Sequence, residues 1–509
     1  MKRKRTCSLI LGMSLFLAAC GADVGGESST ADSVSRYTDN VQAAEGAAGD
    51  SAGSLGSSTA DAGGGSQPNI MENPAYSALG RQVLSAVVVV PFRETTDRIV
   101  AYNASNPDFF IEMKTYGGGI GSTAAVNLET QLSLEVLSGE GPDLVIWNRE
   151  LYTPSLASEK LMENLYDFMD ADSDFHREDY YENILEAFER NGGLYVLPTS
   201  FSVETGVVLA DELEAGRGTT ESWTLGEMLE AYRNSSHAER FEDNYIRDYE
   251  LRFISQDCMG NFVDWDNGEC HFDTPEFVEL LEWCATLPEQ FHEPENYSIP
   301  EYYREGRSFW HSVSLTTPWE LAFWEAAYGG VDLLWPGHPV ADGEEGLGGG
   351  MALPWDEGFS ICKNSSNKEA AWECVKSFLT ADMQREVQAI PLLRSVSEEK
   401  IQDALTVEYE TVDGVKQEKI KFEEGICITE AEVVTFAFSS ITEEDAETYR
   451  SLIENTHRSS GKDIGILDII MEEAGAYFNG DKDAATVADI IQNRASIYVG
   501  ERMKCVKKF

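Results

Sequence analysis

The chain has 509 residues, 42% of them apolar and 25% charged, which is a globular composition. Its 89 acidic and 38 basic residues give a formal charge of −51, so nucleic acid and acidic lipid surfaces are poor partners and a solvated acidic surface is expected. The length allows two lobes with substantial cores.

Lys2 to Arg5 are basic, and Ser8 to Ala19 form a short apolar run, the charged and apolar regions of a secretory signal over 1–19. The run is too short to span a bilayer as a mature helix. It ends in Leu17-Ala18-Ala19-Cys20, which resembles the lipobox of bacterial lipoproteins; the resemblance implies that Cys20 is lipidated, as by palmitate, and becomes the first residue. Several acyl chains make such an anchor stable. Loss of the four basic residues leaves −55 on the mature chain. From 20 to about 70 the chain is rich in Gly, Ser, Ala and Asp, with Tyr37 as a lone aromatic, a composition that cannot bury enough apolar area to offset its ordering entropy. A flexible tether is expected there.

Of the nine cysteines, removal of Cys7 and lipidation of Cys20 leave an odd number, so a complete disulfide framework is impossible. No CxxC spacing occurs. Cys258 and Cys270 are the closest candidates for a bridge, and buried free thiols are the general expectation.

In the body, apolar Val83 to Val90, mixed Thr95 to Ala104, Phe109 to Tyr116, helically spaced Leu128 to Leu137 and the strand Leu144 to Trp147 alternate. Such alternation predicts a parallel α/β sheet. Further on, Phe277, Leu280, Leu281, Cys284 and Leu287 share one face of a predicted helix over 274–287, capped by Asp273 or Thr274. Another helix is predicted over 367–379, and a C-terminal pair over about 465–478 and 484–498 is separated by Asn479-Gly480-Asp481. There is no internal repeat.

Four landmarks occur in order: Ser138-Gly139 with Gly141-Pro142-Asp143 before an apolar strand; Gly193 to Pro198 leading into Glu204 to Leu209; Phe272-Asp273-Thr274-Pro275 opening a helix; and Asn364-Ser365-Ser366-Asn367 before Lys368 to Trp372. Jointly, behind a lipobox and tether, they resemble the family 1 extracellular solute-binding proteins, the group that includes maltose-binding protein. The resemblance implies an α/β, two-lobed, type II periplasmic-binding-protein-like fold with discontinuous lobes joined by a hinge. One lobe would combine 78–200 with 356–425, the other 201–355 with 426–509. It also implies a monomeric receptor, not an enzyme, that carries a carbohydrate, an oligosaccharide, to the transmembrane subunits of an ABC permease. No cofactor is implied.

A sugar site needs flat rings for area and carboxylates for hydroxyls. By the resemblance, Trp147 and Glu150 lie where a strand end meets the cleft. Glu204 sits on the crossover strand; Trp310, Trp335 and Trp355 stand beside Gly- and Pro-rich loops. Trp319, Phe323 and Trp324 share helical spacing and are expected to pack in a core. Asp170 to Asp174 begins like a calcium loop, but Phe175 stands where Gly is required, so a solvated acidic turn is expected. No zinc, P-loop or nucleophile-elbow motif occurs. A surface glycan hydrolase with paired carboxylates, or the same fold binding a peptide or polyamine, is the alternative reading.

Overall fold

The computed structural model describes residues 78, 80–88, 93–114, 122–147, 160–213, 222–235, 238–242, 245–290, 303, 305–341, 350–412, 414–429 and 432–505. The signal segment, Cys20, the tether and Glu150 lie outside the described residues.

The first sheet has five strands in the order Phe109–Lys114, Gln82–Val88, Leu144–Trp147, Gly358–Ile361, Leu197–Pro198. The first three are mutually parallel, and Gly358–Ile361 runs antiparallel to both its neighbours. Helices Arg93–Ser105 and Ser122–Ser138 make the crossovers that parallel pairing requires. Every residue of Leu144–Trp147 is buried, as a run apolar on both faces demands. Asn103, on the first helix, bonds both backbone groups of Ile111 at 2.9 Å through its side-chain amide, fixing helix to strand.

Two of the landmarks meet here. The Asp143 carboxylate accepts from the Ser85 amide and hydroxyl, from Ser365 Oγ and from Asn367 Nδ2. Burial pushes this acid up, but those four bonds outweigh burial and hold it below its usual range.

A second sheet is built on the long strand Ser200–Leu209. His311–Leu315, Leu333–Leu334, Met351–Pro354 and Ile390–Pro391 all pair with it antiparallel. Phe201 pairs with both Pro354 and Ile390, and Glu204 with both Ser314 and Met351, so the strand is flanked on both sides at these points.

Two hydrophobic cores result. The larger gathers the first sheet with Phe201, Val203 and Val207 of the long strand. The smaller begins at Val208 and takes in the helices Leu225–Asn234, Arg247–Asp257, Pro275–Cys284, Ile464–Phe478 and Ala484–Cys505. Val313, Leu315, Leu321, Tyr449 and Leu452, from ranges assigned to the second lobe by sequence, pack in the larger core together with Phe201, Val203, Val207 and Leu209 of the long strand.

The helix predicted over 274–287 spans Pro275–Cys284 with Thr274 at its N-cap, and all five face residues are buried. The C-terminal pair turns at Gly480, whose φ of 79° is favoured by glycine. Cys258, Cys270, Cys284, Cys362 and Cys374 are buried and free, so the Cys258–Cys270 bridge is absent. The acidic turn is also more than solvated: Asp172 accepts from Lys376 Nζ at 2.6 Å and Trp372 Nε1 at 3.0 Å, and those bonds lower it to about 2. Helix Trp319–Ala327 packs as its spacing predicts, but against a hairpin the sequence did not announce. Trp319 stacks on Phe422 at 5.7 Å, and Phe323 meets Phe436 edge-on.

Among the described residues no helix is long and apolar enough to cross a membrane, and no group of three or more His, Cys, Asp or Glu could hold a metal ion.

Candidate solute site between the two cores

Side chains at even positions of Ser200–Leu209 share one face. Ser200 bonds Asp356 with its hydroxyl at 2.7 Å, beside the first sheet. At the other end Val208 is buried in the second core. Gly206 lies under Trp310, whose ring occupies the space a side chain would need: a Cβ there would come within 1.8 Å of it. Walking along this face therefore passes from one core to the other. Glu204, midway, is the one residue of the strand that is not buried.

The site's floor is polar and hydrogen-bonded. Glu204 accepts from Ser202 Oγ at 2.5 Å and from Ser314 Oγ at 2.6 Å, one bond to each carboxylate oxygen. Ser314 is its cross-strand partner, and Ser312, half-buried two residues earlier, faces the same way. Leu353 and Trp355, both half-buried, follow on the other flanking chain, and the Trp355 amide donates to Ser200 O at 3.0 Å. Nearby, Glu320 accepts from the Thr316 amide and hydroxyl and the Thr317 amide, folding back over its own helix start. Burial pushes Glu320 up to about 7, against those bonds, and the negative charge of Glu204 adds to the rise.

The candidates from sequence divide accordingly. Glu204 lies at the junction and Trp355 stands half-buried beside it. Trp147 is completely buried in the first core, its ring N–H donating to Ser360 Oγ at 2.7 Å, because Gly358–Ile361 pairs across it and closes the sheet over the strand end. Trp310 fills the gap over Gly206 and packs on Trp223 and His338. Trp335 is buried in the larger core. These three rings thus serve packing in this structure rather than lining an open site. Ser202, Ser312, Ser314 and Glu320 were not singled out from sequence. The alternation Ser200-Phe201-Ser202-Val203-Glu204 and Ser312-Val313-Ser314 carries a period-two signal, but only the strand register brings the two polar rows together.

Two five-stranded sheets and two hydrophobic cores, joined by a strand with a polar junction midway, make a two-lobed α/β architecture. No family model matches the chain. It is similar to the maltotriose-binding protein of Pyrococcus abyssi, at 25% identity over 261 residues, covering 50% of this chain and 54% of that protein. The match thus spans about half the length of that relative. Among solved structures it is similar to the sugar-binding protein MalE of Xanthomonas citri, with a TM-score of 0.49 at 13% identity, covering 84% of this chain and 100% of that one. An extracellular solute-binding protein family 1 member from Alicyclobacillus acidocaldarius gives 0.48 at 14%, covering 82% and 98%. The sequence relationship is thus a similarity to a sugar-binding protein over half of the chain, in keeping with the resemblance to family 1 extracellular solute-binding proteins.

Proposed function

We propose that this chain is the solute receptor of an ABC importer, lipidated at Cys20 on the extracytoplasmic face, and that it encloses an oligosaccharide between its lobes and presents it to the permease. The observation that carries the reading is the position of Glu204: a half-exposed carboxylate, oriented by two serine hydroxyls, on the strand that links two cores. Sugar hydroxyls donate to such an acceptor, and a half-buried indole such as Trp355 offers a flat face to a pyranose ring. Glu150 is retained as a further contact. The lobes, 78–200 with 356–425 and 201–355 with 426–509, close on the solute because only the closed form lets both touch it. The body acts as a monomer and performs no chemistry. The name of the Pyrococcus relative points to the maltodextrin class.

Titration calorimetry with maltotriose tests the binding, with chromatography of the sugar after incubation. Saturable binding with no product is expected. Cleavage of the sugar would establish a hydrolase, and heat only from peptides or polyamines would overturn the carbohydrate assignment. For the anchor, Cys20→Ala should abolish labelling by radioactive palmitate and release the protein from the membrane fraction; retention of both would remove the lipid attachment.

A further inference from the structure

A pocket of about 290 Å³ is walled by the start of helix Trp319–Ala327, by strand Ile390–Pro391 and by the helices Arg394–Leu405 and Glu443–Glu454. Each of these elements packs in the larger core, through Leu321, Ile390, Ile401 and Tyr449, and among the described residues none of them contributes to the smaller one. The pocket therefore does not lie between the two cores, and it is complete without the second.

Its charged side chains already have partners. At the mouth, exposed Arg385 donates to Glu399 through Nε at 2.9 Å and Nη2 at 3.1 Å, and to Asp382 through Nη1 at 3.0 Å. Lys400 Nζ donates to Val387 O at 2.6 Å, and Lys421 Nζ lies 2.9 Å from Asp403 Oδ1. A charged guest would have to displace one of these partners, so the pocket favours a neutral one.

Deeper in, the lining is apolar or hydroxylic. Pro391, Val396, Ser397 and Tyr449 are buried, and Trp319 is half-buried. Phe422 stacks on Trp319 with the two planes 4° apart, which holds the indole as a fixed wall. Ser397 Oγ accepts from Tyr181 Oη at 3.1 Å, which leaves its own proton for another acceptor. Thr317 Oγ1 is buried without a hydrogen-bond partner, a state that native structures rarely leave unanswered. A hydroxyl-bearing guest would supply both.

An indole beside neutral hydroxyls is the chemistry that holds a sugar ring, whose apolar face lies on the indole while its hydroxyls exchange bonds with the side chains. The volume stands at the lower end of the range for ligand pockets, which suits one ring rather than a chain of them. We propose that this pocket is an accessory site for a single neutral sugar ring, distinct from the junction at Glu204, with Trp319 as its platform and Ser397 and Thr317 as its hydroxyl partners. It goes beyond the interlobe reading and does not rest on it.

The full chain labelled with 5-fluorotryptophan carries a fluorine reporter at each of its ten indoles, and Trp319→Phe identifies the resonance of Trp319 by its absence. Titration with glucose, galactose or mannose should shift that resonance saturably. The shift should persist in Glu204→Gln and with maltotriose at saturation. Thr317→Val, which keeps the side-chain shape, and Ser397→Ala should each weaken the response about 2- to 10-fold, the range of one neutral hydrogen bond. A Trp319 resonance that none of the three sugars moves would overturn the proposal. So would a shift obtained only with glucosamine or glucuronate, which carry charge, and so would loss of the shift under maltotriose, which would make the pocket an end of the interlobe site. A glucose shift in a chain that fails to bind maltotriose would sustain this site while removing the interlobe reading.

Discussion

Ser365 Oγ donates to Asp143 Oδ1 at 2.6 Å across 222 residues of sequence. That bond joins the turn before Leu144–Trp147 to the turn before helix Lys368–Ser377, so early and late segments of the larger core share one buried charge. Ser365→Ala should cost about 1.5–3 kcal/mol, the worth of one hydrogen bond to a charged acceptor, and Asp143→Asn somewhat more. Since the folded acid is held below its unfolded value, its contribution is present above the ordinary carboxylate range and lost as the pH falls through it. Urea midpoints at neutral and acid pH should therefore separate the parent from Asp143→Asn at neutral pH and bring them together in acid.

That core was legible because its signals are local. The runs around Val87 and Leu144 are apolar on both faces, and Asn367 sits where a cap belongs. The landmark motifs were visible as motifs, yet nothing in the sequence said that Asp143 and Asn367 touch. The candidate site was half legible: Glu204 could be picked as a lone carboxylate in a strand, but its partner Ser314 depends on register, which alternation alone does not set across more than a hundred residues. Trp147, Trp310 and Trp335 are buried in this structure for a physical reason. A large ring beside glycine or proline can stack on a ligand or fill the hole that a glycine leaves, and Gly206 beneath Trp310 shows the second outcome.

Gly206→Ala tests that packing. The added methyl would meet the Trp310 ring at 1.8 Å, so the ring or the strand must move. Overpacking of this kind costs about 1–3 kcal/mol. A lowered denaturant midpoint with a shifted indole emission is the expected result, and an unchanged midpoint would mean that Trp310 swings away freely.

The buried thiols give a chemical check on the cores. Cys258 and Cys284 are pushed well above the ordinary thiol range by burial, and Cys270 up to about 11 by the same cause. Thiolate is the reactive form, so these residues should resist a thiol-specific reagent at mildly alkaline pH in the native protein and react in denaturant. Rapid native modification at any of them, mapped by mass spectrometry, would contradict the packing around the second core.

Glu204 and Glu320 together make a pH-dependent pair. Glu320 is raised to about 7, first by burial and further by the charge on Glu204. The folded protein therefore binds this proton more tightly than the unfolded chain, and the sign follows: the contribution is full below the ordinary glutamate range and is lost as pH rises toward about 7. Glu320→Gln should flatten the fall in stability between mildly acid and neutral pH. Glu204→Gln, by removing the neighbouring charge, should move that fall toward lower pH. The same substitution leaves a neutral acceptor between Ser202 and Ser314, so folding should survive while maltotriose binding weakens by about 10- to 100-fold, as expected when a charged acceptor is replaced by a neutral one. Calorimetry beside denaturant midpoints at two pH values separates the effects: unchanged affinity in a folded Glu204→Gln protein would move the solute away from this strand.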